Sequence, residues 1–388
     1  MTTSAKSRLD SFSLAELSSR PGAKWQFYPE GVVPCWVAEM DFPIAEPIKR
    51  AIHDQVETDN LGYLMPTGLP GLREAVAQRL HQRYDFRVEA DDVALLGTTG
   101  TGINLSVRAF SEPGDEILLL TPLYPPFKNA VEISGRVPVE VELVNGEGGY
   151  TIDFDAMERA VTSKTTMLML CNPHNPVGRV FTVEELTGLA DFAQKHDLTL
   201  VSDDLHSDLL FDGRHVPIAS LDHPMAERTV TLYGPTKAFN LPGLKISFAV
   251  SKNHEMLEQM AAAGAGLATP PNILAQAATL GAYQHGDAWL TEVVEYLKDN
   301  RDYLLKRVAA NMPKVKVHKP AATYLAWLDL RAFDLGEQVA ETLVERAKVG
   351  LNDGATFGAG GQGFVRFNFA TNRAILEEAL TRLERVLV

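Results

Sequence analysis

Cysteine is scarce: only Cys35 and Cys171 occur in 388 residues, far apart and without Cys-x-x-Cys spacing. That excludes a disulfide framework and a zinc site built on cysteines, and no metal centre is expected. Blocks of Lys or Arg are also missing, and 50 acidic residues against 36 basic ones leave a formal net charge of −14. Neither nucleic acid nor an anionic membrane surface is therefore expected as a main partner. No apolar run approaches the roughly 18 residues that cross a bilayer; the longest, at 117–120 and 167–171, are strand-sized. Residues 1–20 have neither the apolar core of a secretory signal nor the Arg-rich, acid-free character of a transit peptide, so a cytoplasmic location is expected. The 45% apolar side chains belong to an ordinary globular chain, long enough for two or three domains with a real core.

From residue 91 onward, strand-like and helix-like segments alternate. Strands are expected at 93–96, 116–121, 137–143, 167–171 and 198–202, with helices at 102–110, 125–134, 153–161 and 182–196 between and after them. This alternation predicts an α/β fold with a mostly parallel sheet flanked by helices. Two further strands, 229–233 and 246–250, are separated by a short stretch rich in Gly and Pro, so the second is expected to run antiparallel to the first. Helices come next at 255–263, 272–284 and 287–310. The C-terminal part reads as a smaller α+β unit, with strands at 324–330 and 364–369 and helices at 335–348 and 373–386. Residues 352–363 read as a long polar loop and a candidate substrate-contacting segment.

Ligands of open α/β sheets sit outside the carboxyl ends of the parallel strands, so the residues after each strand carry the functional reading. Strand 93–96 is followed by Gly97-Thr98-Thr99-Gly100-Thr101-Gly102 entering a helix, which suits a phosphate. Pro122-Leu123-Tyr124-Pro125 holds an aromatic in a rigid turn. Next come Asn172-Pro173-His174-Asn175-Pro176-Val177-Gly178, Asp203-Asp204-Leu205-His206 and Gly234-Pro235-Thr236-Lys237, with Lys245 beginning the antiparallel strand on the same side. One sheet edge then offers a phosphate cradle, an aromatic, an amide, a carboxylate and two lysines. That set suits a phosphorylated aromatic aldehyde whose ring nitrogen stays protonated and whose carbonyl condenses with an amine. A dinucleotide-binding Gly-x-Gly-x-x-Gly reading of Gly100-Thr-Gly102 fails, because Leu105 stands at the third position.

These motifs resemble those of pyridoxal-phosphate enzymes of the aspartate aminotransferase fold (fold type I) over nearly the whole chain. Residues 172–178 match that family's Asn-Pro-x-Asn-Pro-x-Gly motif. Pro34-Cys-Trp-Val-Ala-Glu-Met-Asp-Phe42, Asp203-Asp-Leu-His206, Lys237-Ala-Phe-Asn-Leu-Pro-Gly-Leu244, Tyr324-Leu-Ala-Trp-Leu-Asp329 and Leu351-Asn-Asp-Gly354 are similar to the cystathionine β-lyase, or C–S lyase, branch. Glu39, Asp204 and Thr236 stand where Asp, Glu and Ser are common in that branch.

The resemblance implies pyridoxal 5'-phosphate as cofactor. It implies Lys237 as the amine that condenses with the cofactor and serves as base, Asp203 as partner of the pyridine nitrogen, Asn175 on the phenolic oxygen and Tyr124 stacked on the ring. Thr98, Thr99, Gly100, Thr236 and Lys245 would serve the phosphate, with Tyr63 reaching it from the neighbouring subunit of a homodimer with shared sites. His206 is a further cofactor-binding candidate. Arg366 would bind the substrate α-carboxylate, with Val37, Ala38 and Asn175 also contacting substrate. The plain alternatives are a solvated Lys237, a capping Asp203, a turn-shaping Asn175, a core Tyr124, a surface ion pair at Arg366 and a structural His206. The implied domains are a large cofactor-binding one at 49–285 and a small one from 1–48 and 286–388. The implied activity is α,β-elimination from cystathionine or related cysteine thioethers. An aminotransferase on the same scaffold is the first alternative, and a cofactor-bound protein acting through a regulatory protein partner is the second.

Overall fold

Short runs rich in Val, Ile, Leu and Met, each ended by turn residues, form seven strands in the computed structural model, which describes residues 8–388. They are β1 (Val93–Leu96), β2 (Glu116–Thr121), β3 (Val137–Glu142), β4 (Thr165–Cys171), β5 (Thr199–Asp203), β6 (Thr229–Tyr233) and β7 (Ser247–Val250). All lie in one sheet with spatial order β1-β7-β6-β5-β4-β2-β3. From β6 to β3 every pairing is parallel, whereas β7 runs antiparallel to both β6 and β1, as its short connection requires. Ser247 pairs with Leu96 and Phe248 with Tyr233, so the start of β7 shares an edge with the carboxyl ends of its neighbours.

The helices are α1 (Glu46–Glu57), α2 (Leu72–Tyr84), α3 (Thr99–Phe110), α4 (Pro126–Ile133), α5 (Phe154–Ala160), α6 (Val183–Lys195), α7 (His254–Ala263), α8 (Ile273–His285) and α9 (Asp287–Asn311). Side chains alternate across the pleat, and two cores result. Leu118, Leu120, Leu168, Leu170 and Leu200 pack against Leu186 and Leu189 of α6. Ile117, Leu119, Met167, Met169 and Val201 pack against Ile103 of α3, Phe127 of α4 and Met256 of α7. Burial on both faces explains why these strands read as continuous apolar runs.

A second, antiparallel sheet holds β8 (Leu325–Asp329) and β9 (Phe364–Asn368) between the two-residue strands Lys316–Val317 and Asn352–Asp353. It packs with α10 (Val339–Ala347) and α11 (Arg373–Glu384), whose Leu343, Leu376, Leu380 and Leu383 join Val365, Phe367 and Phe369 in a third core. Val33–Pro34 pairs in parallel with Val349–Gly350, which ties the N-terminal segment to this unit.

Several local expectations are corrected. The helix expected from Gly102 starts at Thr99, because Thr98 caps it through its own side chain. The helix expected from Leu335 starts at Val339, since Gly336 sits at φ +74° and breaks the helical path before it. Residues 352–363 are not a plain loop. Asn352–Asp353 pairs with β9, Asp353 caps a 3-10 turn at Gly354–Phe357, and Glu140 Oε2 accepts the Ala359 N–H at 2.8 Å. A hairpin of Val144–Gly146 and Gly149–Thr151 was not expected; its glycine-rich turn was the available signal. Among the described residues no helix is long and apolar enough to cross a membrane, and no group of three or more His, Cys, Asp or Glu could hold a metal ion.

Candidate active site

The carboxyl edge of the seven-stranded sheet gathers side chains from five separate turns. Beyond β1, Thr98 Oγ1 accepts the Thr101 N–H at 2.9 Å. The Thr99 and Gly100 N–H groups lie in the first turn of a 12-residue helix, where no helix carbonyl reaches them, so this end favours a phosphate. Beyond β4, the turn carrying Asn175 is braced by the buried His174, whose Nε2 lies 2.8 Å from Pro122 O and whose Nδ1 lies 3.2 Å from Cys171 O. Burial pulls this imidazole down to about 4. The neutral ring ties the Asn175 turn to the one carrying Tyr124.

Asp203 ends β5 and is buried, with Oδ1 accepting the Leu205 N–H at 3.0 Å. Burial pushes its carboxyl up to about 7 against the pull of that N–H; Asp204 adds to the rise and Lys237 opposes it. Asp204 itself is taken up by Ser202 and by His215 Nε2 at 2.8 Å. Lys237 comes after β6 on a turn that passes close to β7: a Cβ on Gly234 would lie 3.1 Å from Ser247 Cα, a tight approach that a larger residue could make only if β7 gave way by a few tenths of an ångström. Lys237 Nζ donates to Ala38 O at 2.7 Å. Burial draws this amine down to about 8, Arg366 adds to the fall, and Glu39 and Asp203 oppose it.

Arg366 lies on β9 with its neighbours Val365 and Phe367 turned into the core, as the alternation predicts. The residue is 3% exposed, which removes the surface ion pair. Nη1 donates to Asn175 Oδ1 at 3.0 Å and Nη2 to Trp36 O at 3.0 Å, and the group lies 5.1 Å from the centre of the Phe357 ring. No carboxylate of the described residues pairs with it, and its buried Nε has no partner. Burial brings the guanidinium down to about 10, which leaves it cationic at neutral pH.

The N-terminal ribbon over the site is held by its own peptide groups. Beyond the Trp36 and Ala38 contacts, Asn368 Nδ2 donates to Val37 O at 2.6 Å and Glu39 O at 2.7 Å, and Tyr324 Oη donates to Ala38 O at 3.0 Å. Asn240 brackets Met40 through both its N–H and its carbonyl, at 2.9 Å each. Beneath the ribbon, Lys24 and Asp41 form a buried ion pair at 2.7 Å. Tyr324, Asn368, Asn240 and Phe357 were not singled out from the sequence. Tyr324 and Asn240 stood within recognised motifs, but their partners are backbone atoms that no local pattern shows.

The structure thus brings Lys237, Asp203, Asn175, Arg366 and Ala38 together through direct contacts or mutual electrostatic influence. Tyr124 lies in the field of Arg366 and Asp203, and burial raises its phenol above the usual range. His206 is buried in the fields of Lys237 and Arg366, edge-on to Tyr324 with ring centres 6.0 Å apart, and its Nδ1 has no partner. Burial holds this imidazole well below its ordinary value. Thr236 is buried next to Lys237. Lys245 is exposed, two residues before Ser247 and so near the end of β1. Tyr63 is fully exposed beside Leu61 and Met65, and is not brought to the cluster within this chain.

The residues present fit a phosphorylated aromatic aldehyde. A lysine amine made nucleophilic by burial stands with a buried carboxylate that has only one oxygen engaged, orphaned His206 Nδ1 and Arg366 Nε atoms, and a helix start suited to phosphate. On one edge of a mostly parallel sheet, this defines a pyridoxal-phosphate enzyme of fold type I. The family described as aminotransferase class I and II matches residues 37–383, and the chain belongs to it. Cystathionine beta-lyase of Corynebacterium glutamicum is 35% identical over 96% of this chain and 99% of its own. Cystathionine beta-lyase PatB of Bacillus subtilis is 34% identical over 92% of both chains. The PLP-bound C-S lyase of Staphylococcus hominis superposes with a TM-score of 0.87 at 30% identity, covering 95% of each chain.

Proposed function

We propose that this enzyme is a carbon–sulfur β-lyase that cleaves cystathionine or related cysteine thioethers to a thiol, pyruvate and ammonia. The observation that carries the reading is the Arg366–Asn175–Lys237 arrangement. A carboxylate-binding guanidinium and a basic amine are anchored to carbonyls only two residues apart, Trp36 O and Ala38 O. Similarity to proteins named cystathionine beta-lyase gives the leaving group.

When bound, pyridoxal phosphate supplies an electron-accepting ring that makes the substrate Cα proton removable. Asp203, engaged on Oδ1 by Leu205 N–H, would hold a protonated ring nitrogen with its other oxygen and would be kept ionised by that cation despite its burial. Asn175 would offer its amide from the braced turn and Tyr124 its ring face, and Thr98, Thr99, Gly100, Thr236 and Lys245 would hold the phosphate. Arg366 takes the α-carboxylate with two N–H donors, which fixes the amino-acid head group. Val37 and Ala38 bound the substrate from the ribbon above it. Lys237 Nζ removes the Cα proton, and the C–S bond at Cβ breaks with the electron pair leaving on sulfur. The sulfur takes up a proton, and the aminoacrylate hydrolyses to pyruvate and ammonia.

A homodimer sharing its sites belongs to the same proposal. Exposed Tyr63, Leu61 and Met65 are the support, with Tyr63 serving the partner's phosphate. So does a division at residues 49–285 against 1–48 and 286–388, supported by the two main sheets falling wholly on either side of it. A cytoplasmic setting is supported by two buried, unpaired thiols. Borohydride reduction of the holoenzyme with peptide mapping tests the anchor: the cofactor is expected on the peptide containing Lys237. Attachment to any other lysine refutes the assignment.

A further inference from the structure

Among the described residues, hydrogen bonds hold the Arg366 guanidinium only at its two Nη atoms, through Asn175 Oδ1 and Trp36 O, and the group lies over the Phe357 ring, 5.1 Å from its centre. Phe357 is 1% exposed and sits between two strands of the antiparallel sheet, yet the large sheet grips it. Its carbonyl accepts the Leu123 N–H at 2.8 Å, one residue before Tyr124. Its ring meets Trp327 edge-on with centres 5.2 Å apart, and Trp327 is the residue opposite Arg366 in the pairing of β8 with β9. The two residues after Phe357 are clasped by Glu140 on the edge strand β3. Glu140 Oε2 accepts the Ala359 N–H at 2.8 Å, and Oε1 accepts from Lys128 Nζ at 2.5 Å. A Cβ on Gly358 would stand 2.3 Å from Glu140 Oε2, and its φ of +87° suits glycine. Lys128 belongs to α4, which begins two residues after Tyr124. One carboxylate therefore joins the segment carrying Phe357 to the segment carrying Tyr124. Partial burial works against its charge, but Lys128 and the Ala359 N–H outweigh that and hold the carboxyl below its ordinary range, so the clasp is ionised at neutral pH.

We infer that Glu140 is a positioning residue for recognition of the substrate α-carboxylate: by clasping Lys128 and the Ala359 N–H it keeps Phe357 under Arg366, and so keeps the guanidinium in the pose that receives the carboxylate. Two parallel N–H donors bind a carboxylate well only when their plane is fixed beforehand. A guanidinium that turned freely would have to be ordered by each substrate, at a cost in affinity. Glu140 acts only through its neighbours. This inference rests on the assignment of Arg366 to the α-carboxylate, which the lyase reading contains, and is independent of the leaving group at Cβ.

The test follows the visible band of the bound cofactor as the holoenzyme is titrated with L-alanine, which has the α-carboxylate and no leaving group, and with ethylamine, the same molecule without the carboxylate. In Glu140→Ala the apparent Kd for L-alanine is expected to rise about tenfold while that for ethylamine stays within about twofold. Phe357→Leu, which stays apolar and loses the ring, is expected to raise the L-alanine value about fivefold with ethylamine again unchanged. Glu140→Gln keeps an oxygen for the Ala359 N–H and should bind L-alanine within about threefold of the wild type. On an Arg366→Met background, Glu140→Ala should add less than about twofold, because the group it positions is gone. Unchanged L-alanine binding in Glu140→Ala, or equal losses for both ligands, overturns the inference and leaves the lyase reading standing. An Arg366→Met protein that loses no more affinity for L-alanine than for ethylamine removes the carboxylate assignment on which both stand.

Discussion

The unmodified amine of Lys237 is expected to titrate near 8 rather than at its ordinary 10.5, and this shapes how the empty protein captures its cofactor. Burial is the main cause, since a cation withdrawn from water is penalised, and the Arg366 guanidinium adds repulsion. At pH 7 about one amine in ten is then neutral, against a few in ten thousand for a free lysine, an advantage of about 300-fold in the nucleophilic form. In stopped-flow mixing of cofactor-free protein with pyridoxal phosphate, the second-order rate constant should rise about tenfold per pH unit below 8 and level off above it. Arg366→Met removes the repelling charge and should move the break upward. Glu39→Gln removes an attracting one and should move it downward. A rate that climbs without a break to pH 10, or a break that ignores both substitutions, refutes the account of how this site activates its lysine.

The same geometry sets three further outcomes. Asp203 is raised to about 7, so between about pH 4 and 7 the folded cofactor-free protein holds a proton that the unfolded chain has released. Its stability should fall as pH rises through that window, and Asp203→Asn should flatten that part of the profile in chemical denaturation; an unchanged slope would show the carboxyl already ionised. Lys24→Met strands Asp41, whose side chain is 2% exposed, and should cost about 3–5 kcal/mol in denaturant unfolding, with much of the loss recovered in Lys24→Met/Asp41→Leu. A cost below about 1 kcal/mol would mean that water reaches the pair. Arg366→Met should raise KM for α-amino acids about 100-fold while leaving the absorbance of the bound cofactor nearly unchanged, and a lost spectrum with unchanged KM would assign Arg366 to the cofactor instead.

The positions of the sheet edge and its side chains were legible because each rests on a local rule. Buried strands read as apolar runs, and the residues just past the carboxyl end of a parallel strand lie at the ligand edge, which located Asp203, Asn175 and Lys237. Strand alternation likewise turned Arg366 away from Val365 and Phe367. Contacts between a side chain and a distant peptide group stayed hidden in the sequence: Lys237 and Tyr324 on Ala38 O, Arg366 on Trp36 O, Asn240 around Met40. A backbone carbonyl carries no residue-type signal, so the latching of the ribbon emerges only with the tertiary fold. The early start of α3 was missed for a different reason. Gly100 and Gly102 lower helix propensity, and the Thr98 cap together with packing of Gly102 against Leu232 outweighs it.

Elimination and transamination would both draw on Lys237, Asp203 and Arg366, and they part in whether the Cβ–S bond breaks with release of ammonia or stays intact while the nitrogen passes to a keto acid. The most direct measurement is a product balance on cystathionine with purified holoenzyme and no keto acid added. Homocysteine, pyruvate and ammonia are expected in equal amounts. Turnover that occurs only when 2-oxoglutarate or pyruvate is supplied as acceptor, with no free ammonia, would contradict the lyase account and make the enzyme an aminotransferase.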